Sequence, residues 1–185
     1  KHYLSEDLRH YQLTKCSFLT WVKNPILRFQ RRLRKIEYLT NCQENGLIRV
    51  YCKYLQLINT RLAIRLGFSI PINTVGPGLC LPHYGTIVIS DKCSIGKNSR
   101  IHPGVSIGAY HGAPTIGNNV YIGPGAKIIG GIKIGNNVAI GANCVVTKNV
   151  EDNAVVVGVP GKIISYNGSE GYINRTDYDN FLIKN

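Results

Sequence analysis

Three histidines, His83, His102 and His111, stand in the glycine-rich part of this chain. Imidazole titrates near neutral pH and so suits acid–base work or contact with a substrate, which makes each a candidate for a functional site. Taken alone, a histidine is as readily structural as functional, so its spacing and setting must decide. Tyr84 and Tyr110 adjoin two of the three and are candidates for contact with a substrate. The six cysteines, Cys16, Cys42, Cys52, Cys80, Cys93 and Cys144, form no Cys-x-x-Cys pair. They indicate neither a zinc site nor a redox motif and are expected to be reduced, mostly buried thiols. No bound metal is expected.

The elements that position these residues show themselves as a period. Apolar residues recur every six places at Ile89, Ile95, Ile101 and Ile107, then at Ile116, Ile122, Ile128, Ile134, Ile140 and Val146. The step from Ile107 to Ile116 is nine, so three residues are inserted there. The fifth place of each hexad is small or branched: Val105, Val120, Ala126, Ile132, Val138, Cys144. Strands of an ordinary sheet would alternate with period two. A period of six predicts one short strand and one bend per hexad, with the lead and fifth side chains inward and Gly or Asn at the bends, where positive φ is tolerated. Three hexads make a coil of 18 residues, stacked on the next by parallel pairing. The expected fold is mainly β, a left-handed parallel β-helix of hexapeptide repeats. His102 starts a hexad 18 residues beyond that of His83, apart from a shift of one place, and is expected on the same face one coil along. In strict register His83 itself takes an inward lead slot, so the first coil must be distorted or open there.

The first third reads differently. Asn24 before Pro25 marks a helix start, and Ile26, Phe29, Leu33 and Ile36 follow at helical spacing with Arg28, Arg31, Arg32 and Lys35 between them. A second helix is expected from about Leu47 to Leu66, with Val50, Tyr51, Tyr54, Leu57, Ile58 and Leu62 among its apolar residues. The predicted division is therefore a basic helical segment at 1–66, the β-helix at 67–164 and a polar tail at 165–185. Of the formal charge of +12, residues 1–66 carry +9, from 13 Lys/Arg and 4 Asp/Glu. Such a patch suits a polyanion, an anionic lipid surface or an acidic substrate, and equally a solvated helix face. No apolar run approaches the ~20 residues of a membrane span, and no signal peptide pattern is present. A cytoplasmic protein is expected, with peripheral contact of 1–66 with the inner face of an anionic membrane and no nucleic-acid partner. The sequons at Asn167 and Asn174 are expected to be fortuitous.

The hexads resemble those of the left-handed β-helix acyltransferases. Within that group, residues 70–164 resemble the serine acetyltransferase branch through Gly76–Ile89 (GPGLCLPHYGTIVI), Ile122–Gly130 (IGPGAKIIG) and Gly158–Ile164 (GVPGKII). The resemblance implies a homotrimer, possible pairing of two trimers, and acetyl-CoA between coils of adjacent subunits. It implies that His83 is the catalytic base, and it points to Ala109, Gly123, Pro124, Gly141 and Ala142 for the pantetheine arm, with Lys148 and Lys162 meeting the CoA phosphates. His111, in the inserted loop, is offset by two places from the substrate histidine of the family, and His102 is a further substrate candidate. Two positions depart from the branch. Pro82 and Phe68 stand where its members carry Asp residues that bind the amino acid and orient the imidazole. Those losses make the chain look more like the capsule and exopolysaccharide O-acetyltransferases, so a sugar hydroxyl of a surface polysaccharide is the expected acceptor, with L-serine as the alternative. A carbonic anhydrase of this fold would need two histidines five apart, whereas the separations here are 19 and 9.

Overall fold

The computed structural model describes residues 2–9, 11, 18–42 and 45–173. Cys16, the sequon at Asn174 and the tail beyond residue 173 lie outside the described residues. Four helices come first: α1 (His2–Arg9), α2 (Phe18–Lys23), α3 (Pro25–Cys42) and α4 (Gly46–Leu66). The Asn24 side chain accepts from the amides of Ile26 and Leu27 at 3.0 and 3.1 Å, capping α3 at the expected place. Asn45 caps α4 in the same way, and Gly67 ends it in the left-handed conformation, φ 79°. Among the described residues no helix is long and apolar enough to cross a membrane.

The rest is a parallel β-solenoid. One sheet stacks β1 (Phe68–Ser69), β2 (Ile87–Ile89), β5 (Ser106–Gly108), β8 (Lys127–Ile129) and β11 (Val145–Val146). A second stacks β4 (Arg100–Ile101), β7 (Tyr121–Ile122), β10 (Ala139–Ile140), β12 (Val155–Val157) and β13 (Lys162–Ser165). The third stacks β3 (Ser94–Ile95), β6 (Thr115–Ile116) and β9 (Lys133–Ile134). Every pairing is parallel except β12 with β13, where the chain turns back on itself. All ten lead residues and the six fifth-place residues are buried, none more than 8% exposed. The coil therefore follows the hexads as read.

The bends obey the positive-φ requirement through asparagine. Asn98, Asn119, Asn137 and Asn153 all have φ between 55° and 62° and stack up one corner. Each side-chain amide donates to the next carbonyl oxygen, at 3.0, 2.9 and 3.1 Å. This ladder satisfies polar groups that the bend would otherwise leave half-buried. Ser169, just before the short helix α5 (Glu170–Ile173), donates its hydroxyl to the Asn119 carbonyl and brings the tail against this corner.

Helix α3 closes the first end of the solenoid. Its buried Ile26, Phe29 and Leu33 join the solenoid core, and Phe29 meets Phe68 edge-on at 5.2 Å. Beside this apolar contact lies a buried polar clamp. Arg34 pairs with Asp7 at 2.8 Å and Glu37 at 3.0 Å, and donates to the carbonyls of Val75 and Gly76 at 2.8 and 2.7 Å. Asp7 in turn accepts from the amides of Gly78 and Leu79 at 2.8 and 2.9 Å. Burial alone would lower the Arg34 pKa, but hydrogen bonding and charge from Asp7, then Glu37, outweigh it and raise it. The chain from residue 75 to 79, which leads into His83, is thus gripped by α1 and α3.

Helix α4 buries Cys52, Leu55, Asn59 and Leu66 and turns Leu47, Val50, Tyr54, Leu57 and Ile64 outward. Cys52, Cys80, Cys93 and Cys144 are buried free thiols, and Cys42 is an exposed one. Burial pushes the Cys144 thiol up.

Candidate functional site

The segment held by α3 delivers His83 to a corner of the solenoid. Cys80 bridges to Arg100, so Leu81 falls beside Ile101. Leu81 is fully buried and takes the inward lead slot. The strict-register expectation that His83 occupies that slot is corrected: the first coil slips by two places, and His83 is half-buried at the bend after it. Extending the same pairing puts Pro82 beside His102 and His83 beside Pro103. His102 follows the inward Ile101 and therefore points outward on the next coil, beside His83 as its spacing predicts.

The two rings have centroids 6.5 Å apart and planes inclined by 53°. They share a cavity of about 340 Å³ with Arg100, Pro103, Tyr121, Pro124 and Tyr172. Arg100 Nε donates to His102 Nε2 at 3.4 Å. Tyr121 meets His102 edge-on at 5.2 Å, and Tyr172 lies against Tyr121 at 5.0 Å. His102 is lowered from 6.5 to a pKa of about 4, by burial first, then by the Arg100 charge, then by His83. It is a neutral imidazole at physiological pH.

The other candidates are divided between this corner and the rest of the solenoid. Tyr84 is 71% exposed beside His83 and does not line the cavity. His111 and Tyr110 meet edge-on at 4.3 Å in the inserted loop after β5. That loop is the next corner of the triangle, so one chain does not bring His111 to His83. Ala109 and Lys148 stand at the same second corner, after β5 and β11, both exposed. Pro124 and Ala142 are exposed and stacked at the histidine corner, where Asn143 N donates to Pro124 O at 2.8 Å. Gly123 and Gly141 underlie them for a reason of packing. A Cβ on Gly123 would come within 2.8 Å of Ile140 O, and one on Gly141 within 2.9 Å of Val157 Cγ1. Lys162 is exposed on the antiparallel strand β13. A larger cavity of about 680 Å³, lined by α1, α3 and residues 73–76, contains none of these histidines. Among the described residues no group of three or more His, Cys, Asp or Glu could hold a metal ion.

The sequence reading missed Arg100, Pro103, Tyr121 and Tyr172. Arg100 and Tyr121 pair across adjacent coils and fill the outward slot just before a lead isoleucine. That slot also holds Val88, Ser94, Ser106, Thr115, Lys127 and Lys133, so the aromatic Tyr121 was a visible departure there and the basic Arg100 was not. Tyr172 comes from the tail and carried no such signal.

Comparison with known proteins bears on this geometry. A family model described as bacterial transferase hexapeptide (six repeats) matches residues 113–148. A serine acetyltransferase of Staphylococcus aureus is 42% identical over 99 residues, 51% of this chain and 46% of that one. The chain thus spans about half the length of this relative. The structure of serine acetyltransferase from Brucella abortus strain S19 in complex with coenzyme A superposes with a TM-score of 0.68 at 29% identity, covering 89% of this chain and 67% of that one. That of Neisseria gonorrhoeae in complex with serine gives 0.68 at 27%, covering 88% and 68%. These likenesses show the hexapeptide solenoid with its helices in front. They also correct the expected acceptor. The relatives bear the name serine acetyltransferase, and a solved neighbour holds serine, not a saccharide. The saccharide reading rested on Pro82 and Phe68, but Phe68 is a core residue packed on Phe29 and does not line the histidine cavity. Its identity reports packing, not the acceptor.

Proposed function

We propose that this chain is an O-acetyltransferase that moves an acetyl group from acetyl-CoA to the hydroxyl of L-serine. The observation that carries the reading is the pair His83 and His102 facing one cavity at a corner of a solenoid like those of serine acetyltransferases. The corner suits a CoA arm: Pro124 and Ala142 offer no long side chain, and Gly123 and Gly141 draw the coils together beneath them. Acetyl-CoA supplies the acetyl group as a thioester, whose sulfur leaves more readily than an alkoxide. His83 takes the serine hydroxyl proton as the oxygen bonds to the carbonyl carbon. It then returns a proton to the departing sulfur, leaving O-acetylserine and CoA.

The proposed cofactor residues fall at two corners of one chain. Ala109 and Lys148 join Pro124 and Ala142 in a single site only when a second copy brings its corner across, and the same holds for His111 and His83. We therefore take the working unit to be a homotrimer with acetyl-CoA between subunits.

The test is CoA release from acetyl-CoA, measured with L-serine, free sugars and nucleotide sugars as acceptors. Release is expected with serine and should fall about 10²–10⁴-fold in kcat/KM for His83→Ala. Undiminished rates in that variant would remove His83 as the base, and turnover of a sugar in place of serine would overturn the acceptor.

A further inference from the structure

The acetyl-transfer reading uses the closeness of His102 to His83 but assigns His102 no step of its own. The His102 Nε2 accepts from Arg100 Nε at 3.4 Å. A neutral imidazole with one nitrogen accepting must carry its proton on the other, so Nδ1 is the donor. The ring is fixed from more than one side, by Arg100, by the edge contact with Tyr121 at 5.2 Å, and through Tyr121 by Tyr172. Arg100 itself is only 2% exposed, so its guanidinium is held in place. The centroid separation of 6.5 Å from His83 leaves room for one oxygen atom within hydrogen-bonding reach of both rings.

We propose that His102 is a second catalytic residue, which donates Nδ1–H to the acceptor oxygen while His83 takes that oxygen's proton, with Arg100 as the positioning residue that fixes the ring. The proposal rests on the reading of His83 as base. The division of labour follows from charge. As His83 becomes an imidazolium, a second cation beside it would be repelled, and Arg100 already supplies one. The charged and titratable groups facing His102 among the described residues are Arg100, His83 and Tyr121, with Tyr172 behind Tyr121. Arg100, and His83 once it holds the hydroxyl proton, both favour the neutral ring. A neutral imidazole is a poor acid, so it can hydrogen-bond a developing alkoxide without surrendering its proton. Each proton is then accounted for: the hydroxyl proton goes to His83, and the His102 proton stays on Nδ1.

The test compares His102→Phe, His102→Gln, Arg100→Lys and Arg100→Gln with wild type and His83→Ala, using thermal melts to confirm folding. His102→Phe keeps a ring but has no N–H, and kcat should fall about 10²–10³-fold, as for loss of a preorganised donor. His102→Gln restores an N–H and should recover at least about tenfold of that loss. Arg100→Gln should move the acid limb of the kcat profile to higher pH, because His102 loses a charge that keeps it neutral, while Arg100→Lys should leave the limb close to wild type. Nitrogen-15 spectra of the ring should show the Nδ1–H form in wild type and its partial loss in Arg100→Gln. A dead His83→Ala beside a fully active His102→Phe would overturn this proposal alone. A fully active His83→Ala would sink the underlying reading of the base. An Nε2–H ring in the wild type would also refute the inference, whatever the rates.

Discussion

His102 couples the site to the stability of the chain. Its pKa in the folded state is about 4, lowered from 6.5 by burial, then Arg100, then His83. Between those two values the unfolded chain binds a proton that the folded chain refuses. Stability contributed by this group is therefore intact above about pH 6.5, declines as pH falls towards 4, and loses nothing further below it. Urea midpoints measured across that window should slope downward for wild type and less steeply for His102→Gln; equal slopes would show that the imidazole is not buried as described. The closeness of His83 and His102 was legible in the sequence because their spacing is one coil of 18 residues with a shift of one place. The inward slot of Leu81 was not, because the slip of two places depends on how α1 and α3 hold residues 75–79. Arg100 did not stand out from Lys127 and Lys133 in the same slot, and Tyr172 joins the site only in three dimensions.

Helix α3 is the element whose job changes most between sequence and structure. The charge of its segment suggested a surface for an anion, yet Arg34, counted in that charge but not among the four basic residues singled out on the helix, is buried between Asp7 and Glu37 and bound to the backbone of Val75 and Gly76. Replacing it with leucine would take the cation from two buried carboxylates, leaving them, among the described residues, their backbone donors alone, and would remove a donor from two carbonyls. Arg34→Leu should cost about 3–5 kcal/mol, read from urea unfolding; a loss under about 1 kcal/mol would mean that water reaches the clamp. The start of α3 at Asn24-Pro25 and the extent of α4 could be read directly, since capping chemistry is local. The face that α4 buries could not. It carries apolar residues on two sides, and only packing against α3 selects Cys52 and Leu55 over Val50 and Leu57.

At the scale of the whole molecule, the split of the proposed site between two corners makes assembly part of the chemistry. Sedimentation equilibrium should return three times the chain mass of 20.5 kDa. A monomer with full acetyl-transfer rate would show that one chain completes the site alone. Stacked coils carry a second risk, since the last coil presents the same kind of unpaired strand edge on which a further one could be laid. Strand β13 answers it by running antiparallel to β12, with a shift in register between Val155 and Val156. The reversed strand covers the edge of that one sheet and offers a mismatched edge in its place, while α3 blocks the other end. A chain built on a repeat that could in principle continue indefinitely is thereby kept from growing into filaments of its own copies.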